Sequence, residues 1–188
     1  AGGALLEMVS DITDHAALEQ GTLTLHESAF SLRAALSQCL DLYRPAAASK
    51  GLRLELDVPA SVPDHLYGDA FRLRQALGNL VSNALKFTER GGVRLEVEAE
   101  SARTGRLLMR LRVRDSGPGL QPEELERIFE SFQRGSRAGC QPGTGLGLNI
   151  ARTIARRMGG DVRVSSQPGQ GSCFTLEVLL RTDWGNTR

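Results

Sequence analysis

The chain has 188 residues, 40% of them hydrophobic and 24% charged, with a formal net charge of +1. That is the balance of an ordinary globular protein of one or two domains, with room for a sizeable core, and it gives no support to nucleic acid as a main partner although arginine far outnumbers lysine. No apolar run approaches the roughly 18 residues a membrane span needs, no secretory signal pattern is present, and Cys39, Cys140 and Cys173, like the scattered histidines, make no zinc site and fit a reducing compartment.

Ala1-Gly2-Gly3 stands where an initiator Met would, which predicts a fragment of a longer chain. Residues 4–20 carry Leu5, Met8, Val9, Ile12 and Ala16 on one side, an amphipathic helix closed by Gly21. No helix downstream is an obvious partner for that stripe. Residues 22–26 alternate polar and apolar and predict a short strand. Residues 30–50 predict a second helix with Leu32, Leu36, Leu40 and Tyr43 inward, and Pro45 predicts a kink or an earlier end. Residues 52–58 alternate as a half-buried strand, and residues 59–68 read as a loop rich in turn residues.

The next stretch, Asp69 to Thr88, organises the rest. Leu73, Ala76, Leu77, Leu80, Val81 and Ala84 recur at three- and four-residue spacing, Asp69 suits an N-cap, and Gly91-Gly92 ends the segment. Asn79, Asn83 and Lys86 form a second face, four and three residues apart. Two carboxamides and an ammonium contribute little to helix stability. They are either a solvated polar face or a site for an anionic ligand with a divalent metal, since an amide oxygen is a hard ligand for Mg2+ and a lysine meets phosphate.

Residues 93–100 and 107–114 predict a hairpin turning at Thr104-Gly105. Asp115-Ser-Gly117-Pro-Gly119 follows, then a short helix over 122–129 opened by Pro122. Residues 133–143 are polar and lack periodicity, which predicts a mobile loop, and residues 146–158 predict a helix stopped by Gly159-Gly160. Strands over 161–165 and 173–180 complete the pattern, and 181–188 reads as a frayed tail or linker. Hairpin strands with helices that must cover one sheet face predict a two-layer α/β sandwich.

Two glycine-rich stretches carry possible chemistry. A carboxylate at a strand end, Asp115, is placed to accept from a ligand amine, while Gly117 and Gly119 let backbone approach a flat ring. Gly143-Thr144-Gly145-Leu146-Gly147 opens a helix whose N–H groups and dipole suit phosphate oxygens. Either stretch alone is as readily a plain turn, and neither has the Walker or Rossmann spacing.

In order, Asn79-x-x-x-Asn83-x-x-Lys86, Asp115-x-Gly117-x-Gly119, Phe129-x-x-Phe132 and Gly143-x-Gly145-x-Gly147 resemble the N, G1, F and G2 boxes of sensor histidine kinases. That family shares its ATPase superfamily with gyrase, MutL and the heat-shock chaperones. The resemblance covers about residues 30–180 and implies the Bergerat fold, a mixed, mostly antiparallel sheet covered by helices on one face. Residues 5–23, with His15, resemble the end of the second helix of the family's dimerisation and phosphotransfer domain. The implied division is 1–20 for that remnant, 21–182 for the catalytic ATP-binding domain and 183–188 for a tail.

The resemblance implies ATP and Mg2+ as cofactors. Asn83 would hold the metal, Asn79 would support it and its waters, and Lys86 would contact a phosphate. Asp115 would accept from the adenine amino group with Gly117 and Gly119 giving room for the base. Phe129 and Phe132 would anchor a lid, or serve as ordinary core aromatics. Gly143, Thr144, Gly145, Leu146 and Gly147 would close over the triphosphate. Arg134 and Arg137 are either solvated loop residues or γ-phosphate contacts.

Hydrolysing relatives place a Glu where this chain has Asn79, which is no general base, so the γ-phosphoryl group is expected to go to a histidine. His15, His26 and His65 all lack the family's acceptor pattern, so that histidine is expected outside this chain. The implied partners are the parent kinase's phosphotransfer domain and a response regulator or receiver domain. The fragment is expected to be monomeric, its parent a homodimer, and the domain cytoplasmic with the parent anchored in a bacterial inner membrane. The alternative is a catalytically silent module that regulates another kinase by docking.

Overall fold

In the computed structural model, residues 24–103, 105–134 and 146–182 are described. The helix expected over 4–20, most of the loop expected over 133–143 and the tail beyond 182 lie outside them.

The first strand, β1 (Ser28–Ser31), pairs antiparallel with β3 (His65–Gly68). Strand structure therefore begins later than residues 22–26, and residues 24–27 have no regular structure. The reason is a competing partner: the His26 N–H donates to the Asp69 carboxylate at 2.8 Å instead of to a sheet neighbour. Helix α1 (Leu32–Ser49) starts two residues after the expected position, because Ser31 is its N-cap, accepting from the Ala34 N–H. Asp64 completes this cap, accepting from the Arg33 N–H at 2.9 Å and the Ser31 hydroxyl at 2.8 Å. These bonds, led by the one from the Arg33 backbone, hold the Asp64 carboxyl below the usual carboxylate range. Pro45 does not end α1, which continues to Ser49. Its ring is exposed, the carbonyl it leaves unbonded belongs to the exposed Asp41, and Ala47, two residues on, is buried.

After β2 (Arg53–Asp57), the stretch expected to be loop contains β3, whose inward residue Leu66 is fully buried. Helix α2 (Ala70–Phe87) begins at Asp69, whose side chain accepts from the Arg72 N–H, and ends at Thr88. The remaining elements are β4 (Gly92–Arg103), β5 (Arg106–Asp115), α3 (Pro122–Arg134), α4 (Leu146–Arg157), β6 (Asp161–Gln167) and β7 (Gly171–Arg181). Helix α3 is more than a turn longer than expected, and β6 and β7 extend the expected strands at both ends or one.

The seven strands form one mixed sheet in the order β1-β3-β7-β5-β4-β2, with β6 also on β7. β2–β4 is the parallel pair and the others are antiparallel. One edge of β7 lies along β5; the other is divided between β6, over 171–177, and β3, at Arg181. Alternation puts Val93, Leu95, Val97, Met109, Leu111, Val113, Phe174, Leu176 and Val178 on the inner face. Against it lie Leu36 and Leu40 of α1, Leu73, Leu77 and Leu80 of α2, and Ile150 and Ile154 of α4, all fully buried. This is the two-layer α/β sandwich expected.

The outer face is covered by ion pairs set diagonally across β4 and β5: Arg110–Glu100 and Arg112–Glu98 at 2.7 Å, and Arg114–Glu96 at 2.8 Å. Such exposed pairs add little stability. They do leave the layer between sheet and helices as the place for a ligand. Among the described residues no helix is long and apolar enough to cross a membrane.

Candidate functional site

Helix α2 touches the first turn of α4 and the loop that follows β5. Near its middle, the Asn79 carboxamide nitrogen donates to the Gly147 carbonyl at 3.1 Å, at the start of α4. At its C-terminal end, the Phe87 carbonyl and the Thr88 hydroxyl border Gly117: a Cβ built there would stand 3.2 and 3.4 Å from them. Thr88 is fully buried and its hydroxyl donates to the Ala84 carbonyl at 2.7 Å, which fixes the end of the helix. Lys50 reaches over from the end of α1, its Nζ donating to the Leu85 carbonyl at 2.6 Å. A cation at a helix C-terminus meets the negative end of the dipole, so this end of α2 is doubly held.

Asn83 lies one turn beyond Asn79, on the face the sequence singles out. It is only 9% exposed, and among the described residues no hydrogen bond engages its carboxamide. No buried side-chain nitrogen or oxygen among the described residues lacks a partner, so the Asn83 carboxamide keeps an accessible edge, unlike that of Asn79, whose nitrogen is bonded to protein. Lys86 follows at the exposed last turn. No cluster of His, Cys, Asp or Glu suited to a metal occurs among the described residues. A metal here would therefore rest on few protein ligands, which fits Mg2+, an ion that keeps several waters and is shared with substrate phosphates.

Asp115 ends β5 half-buried. Its Oδ1 accepts from the Gly117 N–H at 3.0 Å and from the Ser172 N–H at 3.2 Å. Burial raises its carboxyl above the usual range, and those two backbone bonds only partly offset this. Among the described residues Oδ2 has no protein partner. The Asp115 loop turns at Gly119, where φ is +75° and a side chain would overlap the Gln167 carbonyl. The glycine at 119 thus serves the packing of the loop on the β6–β7 hairpin. Ser116 holds the other side: its hydroxyl accepts from the Gly92 N–H at 2.9 Å and donates to the Arg90 carbonyl at 3.0 Å.

The structure thus places Asn79, Asn83 and Lys86 on α2, Gly147 against Asn79, and the loop of Asp115 and Gly117 at the C-terminal end of α2, with Gly119 turned to the β6–β7 hairpin. Leu146 is the first residue of α4. Phe129, Phe132 and Arg134 lie on α3, but their side chains are outside the described residues, as are Gly143, Thr144, Gly145 and Arg137 altogether. His26 and His65 are exposed and lie at or near the β1–β3 edge.

One residue escapes sequence reasoning. Phe87 is 44% exposed at the last residue of α2, and its backbone carbonyl borders Gly117 of the Asp115 loop. By spacing it continues the stripe of Leu80 and Ala84 and reads as core. Only the helix's ending there shows otherwise.

The family model for histidine kinase-, DNA gyrase B- and HSP90-like ATPases matches residues 68–182. The chain is 36% identical over 178 residues to the signal transduction histidine-protein kinase BarA of Escherichia coli, covering 94% of this chain and 19% of that one. It is 40% identical over 182 residues to the sensor histidine kinase AruS of Pseudomonas aeruginosa, covering 96% and 18%. The chain thus spans about a fifth of the length of these relatives. Among solved structures, full-length ShkA in complex with AMPPNP superposes with a TM-score of 0.79 at 36% identity, covering 97% of this chain and 37% of that one. The histidine kinase AdeS of Acinetobacter baumannii shares the fold, with a TM-score of 0.70 at 24% identity over 93% of this chain and 78% of its own.

Proposed function

The chain belongs to the family of histidine kinase-, DNA gyrase B- and HSP90-like ATPases, and on that premise we propose that it is the ATP-binding catalytic domain of a two-component sensor histidine kinase. It binds ATP and presents the γ-phosphoryl group to a histidine on the parent protein's phosphotransfer helix, for relay to a response regulator or receiver domain. The observation that carries this reading is Asn83, a largely buried residue whose carboxamide makes no hydrogen bond among the described residues and keeps an accessible edge, flanked along α2 by Asn79 and Lys86.

Each residue has a task in this reading. Asn83 holds Mg2+ through its amide oxygen, and the metal when bound supplies neutralisation of phosphate charge. Lys86 adds a positive charge at the exposed end of the same face. Asp115 accepts the adenine 6-amino group on Oδ2, its Oδ1 being taken by backbone. Phe87 offers its exposed ring to a face of the base. Gly147, in the first turn of α4, is assigned with the preceding glycines of the sequence pattern to the triphosphate.

Catalysis here is positioning plus electrostatic neutralisation. Asn79 stands where the hydrolysing relatives have a general base, and its nitrogen is committed to the Gly147 carbonyl. Water is therefore not activated, and the phosphoryl group is kept for the histidine. Residues 1–20 fit the remnant of the phosphotransfer domain and 21–182 the catalytic domain. The parent is a homodimer at the inner membrane in this reading.

Calorimetric titration of ADP and of AMPPNP into the chain, with Mg2+ and then with EDTA, tests it. Binding that requires Mg2+ is the expected result. No binding under either condition would overturn the reading.

A further inference from the structure

The loop that carries Asp115 is closed against the β6–β7 hairpin by three hydrogen bonds. The Ser172 N–H donates to Asp115 Oδ1 at 3.2 Å, the Gly169 N–H to the Pro118 carbonyl at 2.7 Å, and the Leu120 N–H to the Ser166 hydroxyl at 2.8 Å. Ser166 is the joint between the two ends of this arrangement. Its Oγ also stands 3.1 Å from the Gly171 carbonyl and 2.8 Å from the Ser172 hydroxyl. A hydroxyl has one proton and two lone pairs. Accepting from Leu120 and from Ser172 and donating to Gly171 uses all three. The far end of the loop, Leu120, is thereby tied through one side chain to Gly171 and Ser172, whose backbone orients the carboxylate of Asp115.

The carboxylate itself is asymmetric. Oδ1 takes two backbone N–H groups, and Oδ2 has no partner among the described residues. The plane of the carboxyl group, and so the direction of Oδ2, is set by the position of the Ser172 N–H relative to Gly117. Gly171, with φ +87°, packs directly on the Asp115 backbone, so a shift of the hairpin is passed on to the strand end.

We propose that Ser166 is a positioning residue that aims Asp115 Oδ2 and so sets the preference of the site for a purine bearing a 6-amino group. This rests on the reading of Asp115 as the acceptor of that amine. Ser166 itself touches no ligand. Its effect is confined to the base, because the phosphate-binding face of α2 lies across the loop from the hairpin and makes none of these bonds.

The test compares ADP with inosine diphosphate, whose 6-oxo group accepts where adenine donates, by calorimetric titration into the full chain. The unsubstituted chain is expected to prefer ADP by at least about tenfold, the scale of a hydrogen bond to a charged acceptor. Ser166→Ala is expected to lower that preference about tenfold, through weaker ADP binding, with inosine diphosphate changed by less than about twofold. Ser166→Thr, which keeps the hydroxyl, is expected to retain the preference. Equal weakening of both nucleotides by Ser166→Ala would make Ser166 a merely structural residue and overturn the proposal. A chain that binds the two nucleotides alike before substitution would instead overturn the reading of Asp115, and the role of Ser166 with it. Should Ser166→Ala not fold, Ser172→Ala decides: it removes one of the three Ser166 contacts and keeps the N–H on Asp115. A drop in preference of about threefold is then expected, and an unchanged preference would overturn the proposal.

Discussion

The carboxamide nitrogen of Asn79 donates to the carbonyl oxygen of Gly147 at 3.1 Å, joining the middle of α2 to the first turn of α4 across 68 residues of chain. The bond places the start of α4 relative to Asn83, one turn further along α2. Its removal separates two functions that share a residue. Asn79→Ala is expected to cost about 1 kcal/mol of stability, the usual worth of a partly buried hydrogen bond. It is also expected to weaken AMPPNP more than adenosine, because in the proposed reading only the former extends to α4. Denaturant unfolding and titration with both ligands measure this, and an equal loss for the two would place Asn79 outside phosphate binding.

Asn83 presents the opposite balance. The residue is largely buried, but its carboxamide makes no hydrogen bond to protein among the described residues and keeps an accessible edge. Asn83→Ala is expected to leave stability unchanged to within about 0.5 kcal/mol, or slightly raised, because no protein partner is orphaned. Mg2+-dependent nucleotide binding is expected to be lost. A variant that bound nucleotide equally with Mg2+ and with EDTA, and as tightly as the parent does with Mg2+, would remove Asn83 from the metal.

The two elements flanking Asp69 show what sequence reasoning reached and where it stopped. α2 was legible because its cap, stripe and polar face all lie within one segment, from Asp69 to Lys86. β3 was not, because His65-Leu-Tyr-Gly68 is four residues long with a single fully buried side chain, too short for alternation to register. The start of α1 shifted because Ser31 and Asp64 together make its cap, and Asp64 is 33 residues away. In the candidate site the same division holds. Asn83 and Asp115 stand out as residue types at their spacing, whereas Phe87 keeps the helical period and reads as core. Ser166 carries no local pattern at all; its contacts with Leu120 and Ser172 exist only once the sheet has formed.

Phe87 is the simplest of these residues to test, since its ring is 44% exposed and supports little of the core. Phe87→Ala is expected to leave stability within about 0.5 kcal/mol of the parent. Loss of stacking on a base is expected to weaken ADP about tenfold. Because every purine offers a π-face, inosine diphosphate is expected to weaken by the same factor, in contrast to the effect of Ser166→Ala. Phe87→Tyr is expected to restore most of the affinity. Unchanged binding in Phe87→Ala would leave the exposed ring without a ligand role.

Asp115 gives the site a pH signature whose sign follows from burial. Its carboxyl is raised in the folded protein above the ordinary value of 3.8, chiefly by burial, with the Gly117 and Ser172 N–H bonds offsetting part of that. Between 3.8 and the raised native value, the folded chain therefore holds a proton that the unfolded chain has released. Stability from this group falls as pH rises through that window, and above it the ionised carboxylate is a net cost to folding. Asp115→Asn keeps an oxygen for the two backbone donors and removes the charge. It is expected to match the parent's stability below the window and to exceed it above. The Asn amide offers an N–H where the amine of adenine needs an acceptor, so ADP affinity is expected to fall at least about tenfold at neutral pH. In the parent, ADP affinity is expected to decline as pH falls through the native value, because the protonated group loses its charge. Unfolding and titration across that range check both slopes. A parent and an Asp115→Asn variant whose stabilities run parallel at all pH values would show that Asp115 is not buried as a charge. Equal ADP affinity in the two would move the base elsewhere in the site.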